Sequence, residues 1–224
     1  MAIEVETKDS SALSDTELAD MADMCVDGPA GYEVGMLSKE RDEWVLVTQA
    51  RENGRLLGFS FSTLERIGGT PCLLWGLASI KRHSKREAAL KAVLIDQFRR
   101  AVMAFPDEDV VVGTRFIDAS GFSAFKGLQD VCPRPDHKNT GEERAWSRRL
   151  AKRFGYENKI DDRTFIITGR GVSVGVLDFE TLKPEKIDPE VAAYFAPLDR
   201  ERGDSLVAFG WAMAEDLASG KLGK

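Results

Sequence analysis

Residues 71–80, PCLLWGLASI, and residues 81–86, KRHSKR, decide the fold together with the helix pattern that follows them. The first run is apolar throughout, which is typical of a buried strand. After the basic turn, apolar side chains recur at spacings of three and four, which predicts a helix with one buried face: Leu90, Val93, Leu94, Phe98, Ala101, Val102 and Phe105. Main-chain N–H groups and side-chain cations converge at such a turn, so we expect an anion, most naturally a phosphate, to bind there.

The charge of this turn stands out against the whole chain, whose net charge is −6. Residues 81–100 carry seven lysines or arginines and only Glu87 and Asp96 as acids. Cations at a helix start oppose the macrodipole, which a bound anion would explain; neighbouring acids or plain solvation are the alternatives. Broad binding to nucleic acid is disfavoured by the overall negative charge, so the local basic character favours a small polyanion.

Strand patterns surround the basic turn. Residues 44–50 and 55–64 are apolar and β-branched, and the Asn-Gly pair at 53–54 is a strong hairpin signal. Three antiparallel strands are therefore expected up to residue 80. The apolar run at 110–116 follows the long helix, and a strand–helix–strand crossover of this length makes its two strands parallel. The sequence predicts a mixed sheet whose topology switches at the basic turn, a position that favours ligands.

The rest of the chain shows weaker patterns. They predict a capped helix from Ser14, one or two helical turns at 122–128, a rigid loop at 132–135, a helix at 142–154, a strand at 163–168, a helix at 189–195 and a last strand at 205–210. No repeat or linker divides them. We expect a single domain over 15–212, with an N-terminal tail at 1–14 and a C-terminal tail at 213–224.

Composition narrows the class of protein. No apolar run reaches the roughly eighteen residues of a membrane span, and the acidic N-terminus is not a secretory signal, so a cytoplasmic location is expected. Cys25, Cys72 and Cys132 are isolated, which fits reduced thiols better than disulfides or zinc. His83 and His137 are far apart in sequence, so no metal site is expected.

The order of elements, a helix, three antiparallel strands, a phosphate-type turn, a helix, a parallel strand, a helix and two closing strands, resembles the GNAT superfamily of acyl-CoA-dependent N-acyltransferases. In that family the turn after the fourth strand commonly reads Gln/Arg-x-x-Gly-x-Gly/Ala. The similar segment here, residues 83–88, keeps the final small residue but has Arg86 in place of a glycine and His83 in place of Gln or Arg. Short later matches resemble a less-studied branch of the superfamily: residues 122–128, 132–136, 149–156, 164–169 and 203–207.

The resemblance implies a fold and a co-substrate. The fold is α/β of the α+β type, a single-domain GNAT-like mixed sheet with an antiparallel N-terminal meander, a crossover helix and a parallel fifth strand. The co-substrate is acetyl-CoA or another acyl-CoA. Its pantetheine arm would lie along the backbone of Leu77, Ala78, Ser79 and Ile80. Its pyrophosphate would be held by the amides and cations of Arg82, His83, Ser84, Lys85, Arg86, Glu87 and Ala88.

The catalytic residues that the resemblance implies are not at their usual places. Acyl transfer to an amine needs a base for the amine proton and an acid for the leaving thiolate. Many family members use a carboxylate near the fourth strand and a tyrosine after the fifth, but residues 73–80 contain no carboxylate and Phe125 stands where the tyrosine is sought. Asp118 and Glu65 are the candidate bases and Tyr156 is the candidate acid.

Each candidate also has a purely structural interpretation. Asp118 can cap a turn together with Ser120, Tyr156 can be an amphipathic residue at the rim, and Glu65 can be a solvated strand end. The two serines Ser79 and Ser120 can orient a water or the thiol.

The sequence thus predicts an acyl-CoA-dependent N-acyltransferase acting on a small-molecule amine, with acceptor choice set by loops at 28–43 and 129–141. A CoA-binding or regulatory module without catalysis is the first alternative, favoured by the missing carboxylate and tyrosine. A nucleic-acid-modifying member is the second, disfavoured by the net charge. The expected partners are CoA and the amine; a homodimer is left open, and neither nucleic acid nor a membrane is expected.

Overall fold

A computed structural model describes residues 2–26, 32–171, 177–178 and 187–223. Its strands are β1 (Glu4–Asp9), β2 (Leu46–Glu52), β3 (Arg55–Ile67), β4 (Thr70–Ile80), β5 (Val110–Phe116), β6 (Gln129–Cys132), β7 (Ile160–Asp161), β8 (Ile166–Ile167), β9 (Leu177–Asp178) and β10 (Ser205–Ala212). Its helices are α1 (Asp15–Cys25), α2 (Val34–Glu43), α3 (Arg86–Ala104), α4 (Gly141–Arg153), α5 (Pro189–Phe195) and α6 (Ala214–Ala218), with 3-10 turns at Ser10–Ala12 and Ala119–Phe125. None of the described helices is both long and apolar enough to cross a membrane.

The strands form one mixed sheet in the order β1-β2-β3-β4-β5-β10-β8-β7, with β6 beside β10 and β9 beside β4. Strands β1 to β4 pair antiparallel, and α3 then crosses over so that β5 lies parallel to β4. This confirms the expected fold class: an antiparallel N-terminal meander, a crossover helix and a parallel fifth strand make a GNAT-like sheet.

Local signals read from the sequence account for the elements around the site. Asn53 and Gly54 adopt φ values of 52° and 77°, the left-handed pair that a two-residue hairpin turn requires. Ser14 and Glu17 form a capping box at the start of α1. The predicted long helix begins at Arg86, directly after the basic turn. The hairpin turn joins β2 to β3, the capping box begins α1, and the basic turn leads from β4 into α3.

The core has two layers because residues alternate along the strands. On β4, Leu74 faces the side covered by α1, α2 and α4, whereas Leu73 and Trp75 face the side covered by α3. The first side buries, among others, Leu18, Met21, Leu37, Trp44, Phe59, Phe61, Trp146 and Leu150. The second buries, among others, Trp75, Leu90, Leu94, Phe98, Phe116 and Phe125. The sheet is therefore covered on both faces and is held by apolar burial from both sides.

The segments expected to be tails contain elements of the fold. Within 1–14, β1 adds to the sheet edge beside β2, and the Thr7 hydroxyl donates to Asp96 on α3 at 2.6 Å. Within 213–224, α6 and the following turn bury Leu217 and Leu222 in the α3-side layer. Both segments are polar enough to look like tails, because each contributes only one or two side chains to the core.

Three further expectations need correction. The strand expected at 163–168 is only β8 (Ile166–Ile167), since Phe165 has a φ of 62° and turns its ring into the core, where it stacks on Phe209. The segment expected as a rigid loop at 132–135 begins inside β6, because Cys132 pairs with Phe209. Within the loop expected at 28–43, residues 34–43 form α2, and residues 28–31 lie outside the described residues.

Candidate functional site

The seam between β4 and β5 opens partway along the strands. Their ladder covers only Cys72 to Leu74 against Val111 to Gly113. One step further, the Thr114 hydroxyl donates to the Trp75 carbonyl at 2.9 Å. Beyond Trp75, β4 continues to Ile80 with β3 on one side and without β5 on the other. The two parallel strands thus part at Trp75, and an edge of β4 faces away from β3.

A β-bulge lies at the point of parting. Ser62 pairs with Trp75 and Ser60 with Ala78, so Gly76 and Leu77 together oppose a single residue of β3. A Cβ added to Gly76 would lie 2.2 Å from a ring atom of Trp44, so only glycine lets that indole lie on the strand. Bulges re-aim a strand locally and are over-represented beside active sites.

Part of the chain already pairs with the open edge of β4. Ala78 and Ser79 are in parallel register with Leu177 and Asp178 of β9. These main-chain groups belong to the residues that the resemblance assigns to pantetheine, Leu77 to Ile80, all of which are buried. A pantetheine arm laid along this edge and the β9 pairing exclude each other.

The basic turn is organised around His83. Its Nδ1 accepts the Lys85 N–H at 2.8 Å, and its carbonyl accepts the Arg86 N–H at 3.1 Å. Burial, followed by the charge of Lys81, lowers the pKa of His83, which favours the neutral ring that accepts this bond. Lys85 is the N-cap of α3 and makes no side-chain cap bond. The first turn of α3 therefore keeps amides that an anion can accept from.

A cavity of about 440 Å³ lies between this turn and the β2–β3 hairpin. Its lining comprises Glu52, Asn53, Arg55, Leu57, Lys81, His83, Ser84 and Lys85. Lys85 Nζ contacts Glu52 at 2.5 Å, and this bond lowers the pKa of the Glu52 carboxyl. The other predicted pyrophosphate ligands, Arg82, Arg86, Glu87 and Ala88, lie in or next to the same turn. Cations outnumber acids in this lining, which suits an anionic ligand.

The three candidate catalytic residues contact different partners. Asp118 caps the 3-10 turn by accepting the Ser120 N–H at 2.8 Å, and it pairs with Arg200 at 2.9 Å. Glu65 stands opposite Cys72, where β4 is still paired with β5, and it binds Arg153 at 2.8 Å. Tyr156 follows α4, and its ring lies beneath the guanidinium of Arg115 on β5, 4.8 Å from it. Of the three, Tyr156 is the one beside a residue of the diverging part of β5.

Two charged residues that the sequence patterns did not single out lie next to the seam. Glu40 on α2 is 7% exposed and accepts the Trp44 indole N–H at 2.9 Å. Burial raises its pKa, against the opposing effects of the Trp44 hydrogen bond and the Arg115 charge. Arg115 is 9% exposed and lies over the Phe154 and Tyr156 rings. The sequence signal that could have identified Arg115 is a cation inside the apolar run at 110–116.

A second polar cluster surrounds the start of α4. Glu143 completes a capping box with Thr140, binds His137 at 2.8 Å and accepts from the Cys132 thiol at 3.2 Å. These bonds hold the pKa of Glu143 at about 2, against the effect of burial, whereas burial raises that of Cys132 to about 12. The thiol therefore stays protonated. Among the described residues, no group of three or more histidine, cysteine or acidic side chains has metal-binding geometry.

The course of the chain is similar to that of solved acetyltransferases. A ribosomal-protein-S18-alanine N-acetyltransferase from Escherichia coli matches 94% of this chain with 95% of its own, at 10% identity and a TM-score of 0.49. A ribosomal-protein-alanine N-acetyltransferase from Brucella melitensis covers 62% of this chain with 97% of its own, at 14% identity and a TM-score of 0.43. A diaminobutyrate acetyltransferase from Paenibacillus lautus covers 93% of this chain with 96% of its own, at 13% identity and a TM-score of 0.37.

No family model and no curated protein matches the sequence. The fold class therefore rests on the topology of the chain itself. Four antiparallel strands are followed by a crossover helix and a parallel fifth strand, which diverges from the fourth beside a basic turn. This is a GNAT-like fold.

Proposed function

We propose that this chain is an acyl-CoA-dependent N-acyltransferase that transfers an acetyl or other acyl group to an amine of a small molecule in the cytoplasm. The observation that carries the proposal is the parting of β4 and β5 beyond Trp75, directly before the basic turn at 81–86. An extended thioester arm pairs with a strand edge, and a pyrophosphate needs amides and cations. The edge of β4 that β5 leaves and the basic turn lie within one stretch of chain.

In this proposal the pantetheine arm lies along Leu77 to Ile80 and the pyrophosphate contacts the turn from Arg82 to Ala88. The cavity beside the β2–β3 hairpin would receive the nucleotide end, since Arg55 and Lys81 add charge there. Binding of the arm would require the β9 pairing at Ala78 and Ser79 to open. The free energy of that opening is subtracted from the affinity for acyl-CoA.

The reaction requires two proton transfers. The amine nitrogen loses a proton to a base and attacks the thioester carbonyl carbon; the C–S bond then breaks, and the sulfur leaves as a thiolate that takes up a proton. Asp118 and Glu65 remain candidate bases and Tyr156 the candidate acid. The ion pairs of Asp118 with Arg200 and of Glu65 with Arg153 would have to loosen for either carboxylate to act.

A CoA-binding or regulatory module without catalysis is the second candidate. The ion pairs that hold both candidate carboxylates favour it. The two candidates share the cofactor site and differ in turnover.

The test is calorimetric titration with acetyl-CoA together with mass spectrometry of amine mixtures. The double variant Arg82→Ala/Arg86→Ala is expected to lose about tenfold or more in CoA affinity, because charge-assisted contacts to the pyrophosphate are removed. Arg99→Ala, at the far end of the same helix, is the matched control and should keep wild-type affinity. Unchanged affinity in the double variant would refute the cofactor site. Binding without any acylated product would favour the non-catalytic module.

A further inference from the structure

Two buried opposite charges face the same side of the seam without forming an ion pair. Glu40 is held by the Trp44 indole, and that indole lies directly on Gly76, where β4 bulges. Arg115 lies on β5 two residues beyond Gly113, the last residue paired with β4. Its charge acts on Glu40, yet no salt bridge joins the two side chains within the described part of the chain. Glu40 and Arg115 therefore lie on the same face of the sheet, beside the point where β4 and β5 part.

The surroundings of Arg115 explain why its guanidinium is held in place although no carboxylate among the described residues pairs with it. The Phe154 ring lies 5.3 Å and the Tyr156 ring 4.8 Å from the guanidinium carbon. Stacking fixes the plane of a guanidinium and leaves its N–H edge available for a bidentate contact. Burial of a charge without a hydrogen-bonded counter-charge is costly, so such an arrangement points to a ligand that supplies the counter-charge.

Neighbouring charges are either paired or exposed and are therefore poorer recognition groups. Arg153 lies over the Trp44 ring and binds Glu65 at 2.8 Å and Glu43 at 3.5 Å. Arg170 is exposed and lies over the Tyr156 ring, 5.5 Å from its centroid. Glu40 and Arg115 are buried, and no salt bridge to either is found among the described residues.

We propose that Glu40 and Arg115 recognise an acceptor that carries both a primary amine and a carboxylate, that is, an amino acid. The ammonium contacts Glu40 and the carboxylate contacts Arg115, with the aromatic rings of Trp44, Phe154 and Tyr156 beside them. This deepens the proposed function and rests on it for the identity of the reaction. Because Trp44 holds Glu40 over the bulge at Gly76, the amine lies where the two strands part.

The same geometry predicts discrimination. A simple amine would leave Arg115 without a counter-charge, and a simple carboxylate would leave Glu40 without one. Sites built from buried polar groups reject analogues that lack one partner far more strongly than apolar pockets do. Recognition is therefore expected to need both groups on one molecule.

The first experiment uses the wild-type chain and titration calorimetry, with and without CoA. The probes are L-alanine, β-alanine, γ-aminobutyrate and ε-aminocaproate, which vary the spacing between the two groups. The matched halves are ethylamine and propionate for the two alanines, propylamine and butyrate for γ-aminobutyrate, and pentylamine and hexanoate for ε-aminocaproate. At least one amino acid should bind about tenfold or more tighter than either of its halves. Equal affinity for amino acids and plain amines, or no binding of any of the four amino acids, would overturn the proposal.

The second experiment uses matched variants on that best amino acid. Glu40→Gln keeps the shape and an acceptor for the Trp44 indole, and Arg115→Lys keeps the charge but not the fork; each should lose about tenfold or more in affinity. Glu33→Gln, exposed at the start of α2, and Arg149→Lys, exposed on α4, are the controls and should bind as wild type does. Wild-type affinity in Glu40→Gln and Arg115→Lys would refute the assignment.

Acetyl-CoA affinity measured on the same samples separates the two proposals. Glu40→Gln and Arg115→Lys should bind CoA within about twofold of wild type, which also shows that they are folded. If wild type binds the amino acid but no CoA, the acyltransferase proposal fails and the recognition site stands. If it binds CoA and acylates plain amines as well as amino acids, the recognition site fails and the acyltransferase proposal stands.

Discussion

Gly76 shows how one residue connects the backbone with the chemistry of the site. Its missing side chain lets the Trp44 indole lie on β4, and the same indole donates to the buried Glu40. A methyl group at this position would displace the ring and with it the carboxylate. The bulge, the tryptophan and the glutamate therefore depend on one another, although they come from three separate parts of the sequence.

We expect Gly76→Ala to lower stability by about 1–3 kcal/mol, the usual cost of overpacking a core. The new Cβ would lie 2.2 Å from the Trp44 ring, so the ring has to move. Chemical denaturation followed by tryptophan fluorescence measures the change. The control is Gly35→Ala in α2, where an added Cβ meets nothing within 4 Å and alanine favours the helix. A loss of stability in Gly35→Ala as large as in Gly76→Ala would contradict this explanation.

Among the elements, β9 has the most direct consequence for binding. It pairs with Ala78 and Ser79 of β4, the backbone to which the pantetheine arm is assigned. A strand that pairs within the chain has to leave before a ligand takes the same edge, so its stability reduces the apparent affinity. A substitution that weakens the β9 pairing should therefore raise the apparent affinity for acyl-CoA.

The double variant Leu177→Pro/Asp178→Pro removes the main-chain N–H groups of β9 and should bind acetyl-CoA about threefold to tenfold more tightly, the equivalent of one or two net hydrogen bonds. Leu177→Ala/Asp178→Ala keeps both N–H groups and is the matched control, expected to bind as wild type does. Calorimetry measures both. A fall in CoA affinity in the proline variant would mean that β9 supports the site instead of competing for it.

Elements with strong local signals were predictable from the sequence, and elements that depend on distant partners were not. The hairpin at Asn53-Gly54, the capped α1, the crossover α3 and the parallel β5 follow from turn chemistry and periodicity. Strand β1 has no such signal, because Thr7 lies in a polar hexapeptide and finds its partner Asp96 on α3. Helix α2 was hidden in the same way, since Leu37 and Glu40 are its only buried residues.

The candidate site likewise has one part that the sequence predicts and one part that it does not. The basic turn is contiguous, so its anion-binding character could be predicted from residues 81–86 alone. The pair of Glu40 and Arg115 could not, because the two residues are far apart in sequence and come onto one face of the sheet only after α2 packs over the face to which Arg115 of β5 points. In the polar sequence of α2, nothing distinguishes the buried Glu40 from the charged residues at the surface.

At the scale of the whole molecule, charge distribution separates a small polyanion from a polymer as the ligand of the basic turn. The chain as a whole has a net charge of −6, whereas the cavity beside the basic turn is lined by the cations Arg55, Lys81 and Lys85. A nucleotide-sized ligand contacts only that cavity, whereas a nucleic acid would extend over the acidic remainder and be repelled.

We therefore expect acetyl-CoA affinity to fall several-fold when the ionic strength rises from about 0.05 M to about 0.5 M, because salt screens the contacts between the turn and the phosphates. At the lower salt concentration, a single-stranded oligonucleotide should neither bind measurably nor displace acetyl-CoA. Fluorescence anisotropy of a labelled oligonucleotide and competition calorimetry measure the two effects. Salt-sensitive oligonucleotide binding that excludes CoA would instead support a nucleic-acid-modifying protein that uses the same turn.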